Sequence, residues 1–278
     1  MTKPNHFICI GAAHWDIIAR SDVAMYPGSD VPGKVTRQLG GVALNVALAL
    51  ARQDQNVSML TAIGGDQHGK DLIIAMRQAG LNCAAIATTD TPSDSYVAIE
   101  ANGELYGAVA DCRALESAGL AIVQSLAQLT GTIIADCNLP EIVLAMLPHG
   151  TIFVPASPNK ATRLRSVLRQ GKGAVYANRQ EAEVVCETAF SDALKAATAL
   201  VQLGATRATV TDGPHRVADC DGATLTTATP PTLNPTTATG AGYTFLGAHL
   251  VALLSGLDRQ SALDQAVAAA ANRIVRQL

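Results

Sequence analysis

The sequence predicts an α/β protein in which helices pack on a parallel sheet. Three observations carry that expectation. Short apolar runs alternate with stretches of helical spacing along the chain, the pattern of buried strands joined by crossover helices. Hydrophobic residues make up 49% of the chain, aromatic residues only 4%, and alanine is abundant, which suits helices lying close on a sheet. The 278 residues provide for one large domain of this class or two small ones.

Taken in order, Phe7 to Ile10 is a short apolar run ending at Gly11, read as a buried first strand. The following Ala12-Ala13-His14-Trp15-Asp16 lies at that strand's C-terminal end, where open parallel sheets place their ligands. Asp16 has the chemistry to accept hydrogen bonds from sugar hydroxyls; a turn Asp capping local N–H groups has the same sequence signature. Residues 19–38 are polar and read as irregular, with Pro27-Gly28 and Pro32-Gly33 as turn signals. Gly40-Gly41 then opens a run into a helix expected over Leu48 to Arg52. The two glycines let backbone approach a ligand, and Asn45 both donates and accepts, as a diol requires.

Val57 to Ile63 reads as a strand, and Lys70 to Ala79 as a helix stopped by Gly80. Ser95 to Ala101 and Glu104 to Ala110 flank Asn102-Gly103, the dipeptide of a type I′ hairpin. Strands are expected at Thr132–Ala135, Thr151–Val154, Gly173–Tyr176 and Ala208–Thr211. Asn178 and Glu181 form a capping-box pair at a helix start, a place that also binds phosphate. Glu183 is expected in solvent. Short strands, broken at Pro230-Pro231, lead to Thr239-Gly240-Ala241-Gly242-Tyr243. That stretch precedes a helical run, Phe245, Leu246, Leu250, Leu253 and Leu254. Small residues at a helix start aim N–H groups at one spot and make an anion site. A lone pair of glycines also opens helices that bind nothing. A last helix is expected from Ala262.

The net charge of −3 gives no reason to expect nucleic acid or an acidic membrane surface as partner. The six cysteines are scattered without a CxxC pair, which suits reduced thiols in a cytoplasmic protein. The N-terminal apolar run is too short for a signal peptide, and no stretch reads as a membrane span.

Four motifs in order resemble the ribokinase-like (PfkB) family of sugar and nucleoside kinases: residues 11–16, 40–47, 178–181 and 239–242. The resemblance implies a three-layer fold across residues 1–278, with a small β lid from about 19–38 and 92–111. It implies ATP and Mg²⁺ as cofactors. Asp16, Gly40, Gly41 and Asn45 would hold the sugar. Asn178 and Glu181 would serve the nucleotide, Glu181 reaching Mg²⁺ through water. Thr211 and Gly213 would lie on the nucleotide, and Gly240, Ala241 and Gly242 would form the anion hole. The tract from Tyr96 to Asp111 and the sequence Asp136-Cys137-Asn138 look like the pseudouridine kinase-like branch, with Asn138 facing the substrate. A lid of this type exposes an apolar face, which implies a homodimer.

The departure falls on the family's catalytic base, an Asp where this chain has Tyr243. A carboxyl with a pKa of about 4 is ionised at neutral pH, whereas a phenol with a pKa of about 10 is ionised to roughly one part in a thousand. Such a base contributes about 10²- to 10⁴-fold. Transfer is therefore expected to be impaired. The alternative is an inactive nucleotide- or sugar-binding or regulatory protein on the kinase fold. Thr237 stands where many relatives have an acidic residue. The final helix is not followed by the strand that relatives add, which implies a more open adenine side.

Overall fold

The computed structural model describes residues 6–233 and 240–275. The first half contains β1 (His6–Ile10), β2 (His14–Ser21), β3 (Lys34–Gly40), α1 (Val42–Ala51), β4 (Asn56–Leu60), β5 (Ala62–Gly64) and α2 (Gln67–Gln78). It continues through β6 (Ala87–Thr89), β7 (Ser95–Ala101), β8 (Glu104–Asp111), α3 (Arg113–Ser117), α4 (Gly119–Leu126), β9 (Thr132–Asp136) and α5 (Glu141–Met146). Then come β10 (Thr151–Val154), α6 (Pro158–Ala161), α7 (Leu164–Arg169), β11 (Gly173–Asn178), α8 (Arg179–Cys186) and α9 (Ala193–Leu203). The described part closes with β12 (Arg207–Thr211), β13 (Val217–Cys220), β14 (Leu225–Ala228), α10 (Ala241–Leu254) and α11 (Arg259–Val275).

The large sheet has the order β14-β13-β12-β11-β10-β9-β1-β4. Strands β4 to β12 in that order are parallel, and β13 and β14 continue antiparallel. Its alternating side chains feed two cores. Ile8 and Ile10 join the cluster that includes Leu115, Leu144, Val167 and Val185. Phe7 and Cys9 join the one built with α1, α2, α10 and α11, through Leu44, Met76, Phe245 and Leu263. Two buried faces on one sheet give the three layers that the sequence implies.

A second sheet, β3-β2-β7-β8, forms the lid. The hairpin turn has φ 51° at Asn102 and 80° at Gly103, both positive as a type I′ turn demands. The lid begins earlier than expected. Residues 14–21 and 34–40 are paired strands, so only the middle of 19–38 is irregular. The physical reason is pairing of β2 on both edges, with β3 and with β7, which polar composition does not reveal.

Other boundaries also move. Helix α1 starts at Val42 and not at Leu48, directly after Gly41, so Asn45 sits in its first turn. The strand expected over residues 57–63 is split at Thr61 into β4 and β5. Helix α2 starts at Gln67, where Asp66 accepts from the N–H of Gly69 as an N-cap. Helix α11 starts at Arg259, ahead of Ala262. Thr237 and Thr239 lie outside the described residues.

Among the described residues no helix is long and apolar enough to cross a membrane. All six cysteines are free thiols.

Candidate active site

The candidate site is assembled from strand ends and helix starts. At one end, Asn178 closes β11 and caps α8. Its side chain accepts from the Glu181 N–H at 2.8 Å, and Glu181 Oε2 accepts from the Asn178 N–H at 2.9 Å. This is the capping box expected from the sequence. Burial pushes the Glu181 carboxyl up to about 7, against the pull of that N–H. Register places Asn178 beside Thr211 on β12, and the turn continues through Asp212 to Gly213.

Arg179 binds this corner together. Its Nε donates to Asp212 at 2.9 Å and its Nη1 to Glu183 at 2.5 Å and to the Phe190 carbonyl at 3.0 Å. Glu183 is therefore half-buried and paired, not in solvent as the helical spacing suggested. The next-turn neighbour on a helix is within reach of an arginine, and here the arginine is held inward by Asp212.

Helix α10 opens at Gly240, whose φ of 81° is the left-handed conformation that glycine tolerates. Ala241, Gly242 and Tyr243 form its first turn, where backbone N–H groups lack helical partners. Two cavities meet here. One of about 370 Å³ is lined by Thr211, Gly213, Ala241, Gly242 and Ile274. The other, about 200 Å³, is lined by Tyr176, Asn178, Glu181, Thr211, Gly242 and Tyr243. They share Thr211, Gly242 and Phe245. Sequence-assigned residues from three distant segments thus line two neighbouring cavities.

Tyr243 is not ionised at neutral pH. Burial raises its phenol well above the ordinary range, and the negative charges of Asp136, Glu181 and Asp16 raise it further. The helix start does not rescue a phenolate here.

At the other end, Asp16 lies on lid strand β2. His14 Nδ1 stands 3.2 Å from its Oδ1. A Cβ at Gly40 would fall on the Asp16 carboxylate, so only glycine allows this approach. Asn45 is half-exposed amid the buried residues of α1. Asp136, fully buried, is a stitch between segments. It accepts from the N–H groups of Ala12 at 3.0 Å, Ala43 at 2.8 Å and Asn138 at 2.9 Å. Burial pushes its carboxyl up while these bonds oppose the shift.

Asn138 is buried, and its Oδ1 accepts from Lys160 Nζ at 2.6 Å. Arg163 Nη1 donates to the carbonyls of Cys137, Asn138 and Leu139 and fixes this loop. Lys160, Arg163 and Arg179 were not singled out from the sequence, since none stands in a spacing that marks it. The same holds for the buried pair beneath the smaller cavity, Tyr176 Oη and His249 Nδ1 at 2.9 Å, where burial lowers His249 to about 4. Trp15 packs: its Nε1 donates to the His68 carbonyl at 3.1 Å and Arg37 stacks 4.1 Å over its ring.

A family model, pfkB family carbohydrate kinase, matches residues 5–277. The chain belongs to the pfkB family of carbohydrate kinases. Among curated proteins it is similar to a pseudouridine kinase of Escherichia coli (strain K12). The two are 30% identical over 203 residues, which is 69% of this chain and 64% of that protein. The match thus spans under two thirds of that relative's length. Among solved structures, a carbohydrate kinase from Agrobacterium tumefaciens superposes with a TM-score of 0.81 at 26% identity, covering 96% of this chain and 90% of the other. The Arabidopsis thaliana ribokinase, solved with ribose and ATP, shares the fold with a TM-score of 0.77 at 17% identity, covering 98% and 93%. The pfkB fold is therefore ribokinase-like, as the motif order implied.

Proposed function

We propose that this pfkB-family chain is a sugar or nucleoside kinase that transfers the γ-phosphoryl group of ATP to a substrate hydroxyl, weakened at the transfer step by Tyr243. The observation that carries the reading is the pair of neighbouring cavities that bring Asn178, Glu181, Thr211 and Gly213 to the glycine turn of α10. The larger cavity takes the nucleoside part of ATP, and the smaller takes its phosphates at the α10 N-terminus. One Glu181 oxygen is held by the Asn178 N–H, which leaves the other for a hydrated Mg²⁺ carried by the phosphates. Among the described residues no group of three or more metal-binding side chains exists, so the residues fit an ion held mainly by the nucleotide. Bound there, Mg²⁺ would neutralise phosphate charge.

On the acceptor side, Asp16 accepts from substrate hydroxyls beside Gly40, Gly41 and Asn45. Asn138, with its oxygen held by Lys160, offers its amide N–H₂ to an acceptor oxygen. A pseudouridine-like nucleoside is favoured by the likeness to the pseudouridine kinase. The protein acts in the cytoplasm as a homodimer. The partner copy covers the outer lid face, where Val35, Leu105 and Val109 are exposed. Light scattering that finds only monomer at high concentration removes the dimer.

A second reading has its own observation. Tyr243 stays protonated and lines the phosphate cavity, which suits a protein that binds nucleotide without transferring phosphate. The experiment that decides is ATP-dependent phosphorylation of a sugar and nucleoside panel, pseudouridine included, by the chain and by Tyr243→Asp. Turnover by Tyr243→Asp supports the kinase reading, and its best substrate names the acceptor. ATP-induced thermal stabilisation without turnover in either supports the binding protein.

A further inference from the structure

At the first turn of α10 the chain carries a hydroxyl of its own. Tyr243 lines the same cavity as Asn178, Glu181 and Gly242, so its phenol shares the space assigned above to the phosphates of ATP. No hydrogen bond to a described residue holds that phenol, and the charges that bear on it are the carboxylates of Asp136, Glu181 and Asp16. The side chain thus brings a protonated hydroxyl, bonded to none of the described residues, to the phosphate end of the cleft. A substrate hydroxyl would otherwise arrive there.

We propose that Tyr243 is itself a phosphoryl acceptor, and that the chain phosphorylates this residue from ATP. The proposal rests on the reading of the cleft as an ATP site. In the reaction Tyr243 Oη forms a bond to the γ-phosphorus, and the bond from that phosphorus to the β,γ-bridging oxygen breaks. ADP leaves with the electron pair, and the phenolic proton passes to a carboxylate and on to solvent. Asp136, Glu181 and Asp16 are the carboxylates that act on the phenol, and Asp16 is the one of them with no backbone N–H bonded to it among the described residues. Both Asp136 oxygens are filled by backbone N–H groups and one Glu181 oxygen is bonded to Asn178, whereas His14 is the one described side chain paired with Asp16. The product sits at the N-terminus of α10, where a phosphate dianion is stabilised by free N–H groups and the helix dipole. It occupies the space of the ATP phosphates. Modification is therefore limited to one turnover per chain and closes the site to further nucleotide.

The test is incubation of the purified full chain with ATP and Mg²⁺, followed by intact-mass measurement and peptide mapping. The expected result is one phosphoryl group per chain, on Tyr243, gained at a rate independent of protein concentration. None is gained by Tyr243→Phe, and the modified chain no longer shows ATP-induced thermal stabilisation. Tyr26→Phe, on the exposed surface, leaves incorporation unchanged. Should Tyr243→Phe fail to fold, the mapped peptide of the unaltered chain decides alone. Thermal stabilisation by ATP with no gain in mass overturns this proposal and leaves the ATP site standing. Phosphate on another residue does the same. Absence of any ATP binding overturns both.

Discussion

At the donor end of the cleft, each polar group serves the fold as well as a ligand, whereas at the transfer point the Tyr243 ring packs on the core and its hydroxyl bonds to no described residue. Asn178 and Glu181 cap α8, and Arg179 ties that helix to the Asp212 turn. Losing any of them costs stability before it costs chemistry. Tyr243 caps nothing and closes no network with the described residues. Its ring packs against the core on the α10 side of the sheet, and its hydroxyl takes no part in the bonds that build the phosphate site beside it. The difference teaches that an intact phosphate cradle is evidence of folding constraints and of binding, and only the group at the first turn of α10 speaks to transfer.

The largest test of this contrast is Tyr243→Asp. It restores an ionised carboxylate at the transfer point, and transfer to the best acceptor should rise by about 10²- to 10⁴-fold, measured as the initial rate of ADP formation. No rise, with ATP still bound, would mean that the two ends differ by more than one residue.

Next is the pH response of the donor end. Glu181 is raised in the folded chain from 4.5 to about 7, so the folded state holds its proton more tightly than the unfolded one. The resulting stability is fully present below about 4.5 and is lost as pH rises through about 7, a change of about 3 kcal/mol. Thermal melts of the nucleotide-free protein should fall across that window. Glu181→Gln should flatten the slope. A melting temperature that climbs with pH there would contradict the burial that causes the shift.

Asp16→Asn should weaken acceptor binding by about 1.5 to 3 kcal/mol, the worth of hydrogen bonds to a charged group, and leave ATP affinity unchanged. Calorimetric titration with each ligand separates the two ends. The smallest effect is expected for Arg179→Ala, which frees the Asp212 turn and should lower ATP affinity only slightly. Unchanged ATP affinity there would show that the turn holds its place without the arginine.

Local chemistry was legible in the sequence and long-range stitching was not. Asn102-Gly103 announced its own turn, and Asn178 with Glu181 announced its own cap, because each interaction lies within a few residues. Asp136 joins Ala12 and Ala43 across 124 and 93 residues, a distance that no periodicity spans. Lys160 likewise reaches Asn138 from a separate crossover. That Asp16 stands on a strand was hidden for the same reason, since β2 exists through partners far along the chain. Of the residues named from the motifs, Asn178, Glu181, Thr211, Gly213, Ala241, Gly242 and Tyr243 line two neighbouring cavities, and Asp16, Gly40, Gly41, Asn45 and Asn138 line neither. Their supporting residues became visible only once the strands were aligned.

Trp15 is the one tryptophan of the chain, and it is fastened from three directions. It belongs to β2 of the lid, its indole N–H is held by the His68 carbonyl on α2, and Arg37 of β3 covers its face. A rotation of β2 away from α2 strips the indole of its hydrogen-bond partner. A loosening of β3 uncovers the ring. The emission of one native fluorophore therefore reads the position of the lid without a label, and a titration with acceptor or nucleotide reports in light which of them closes the cleft.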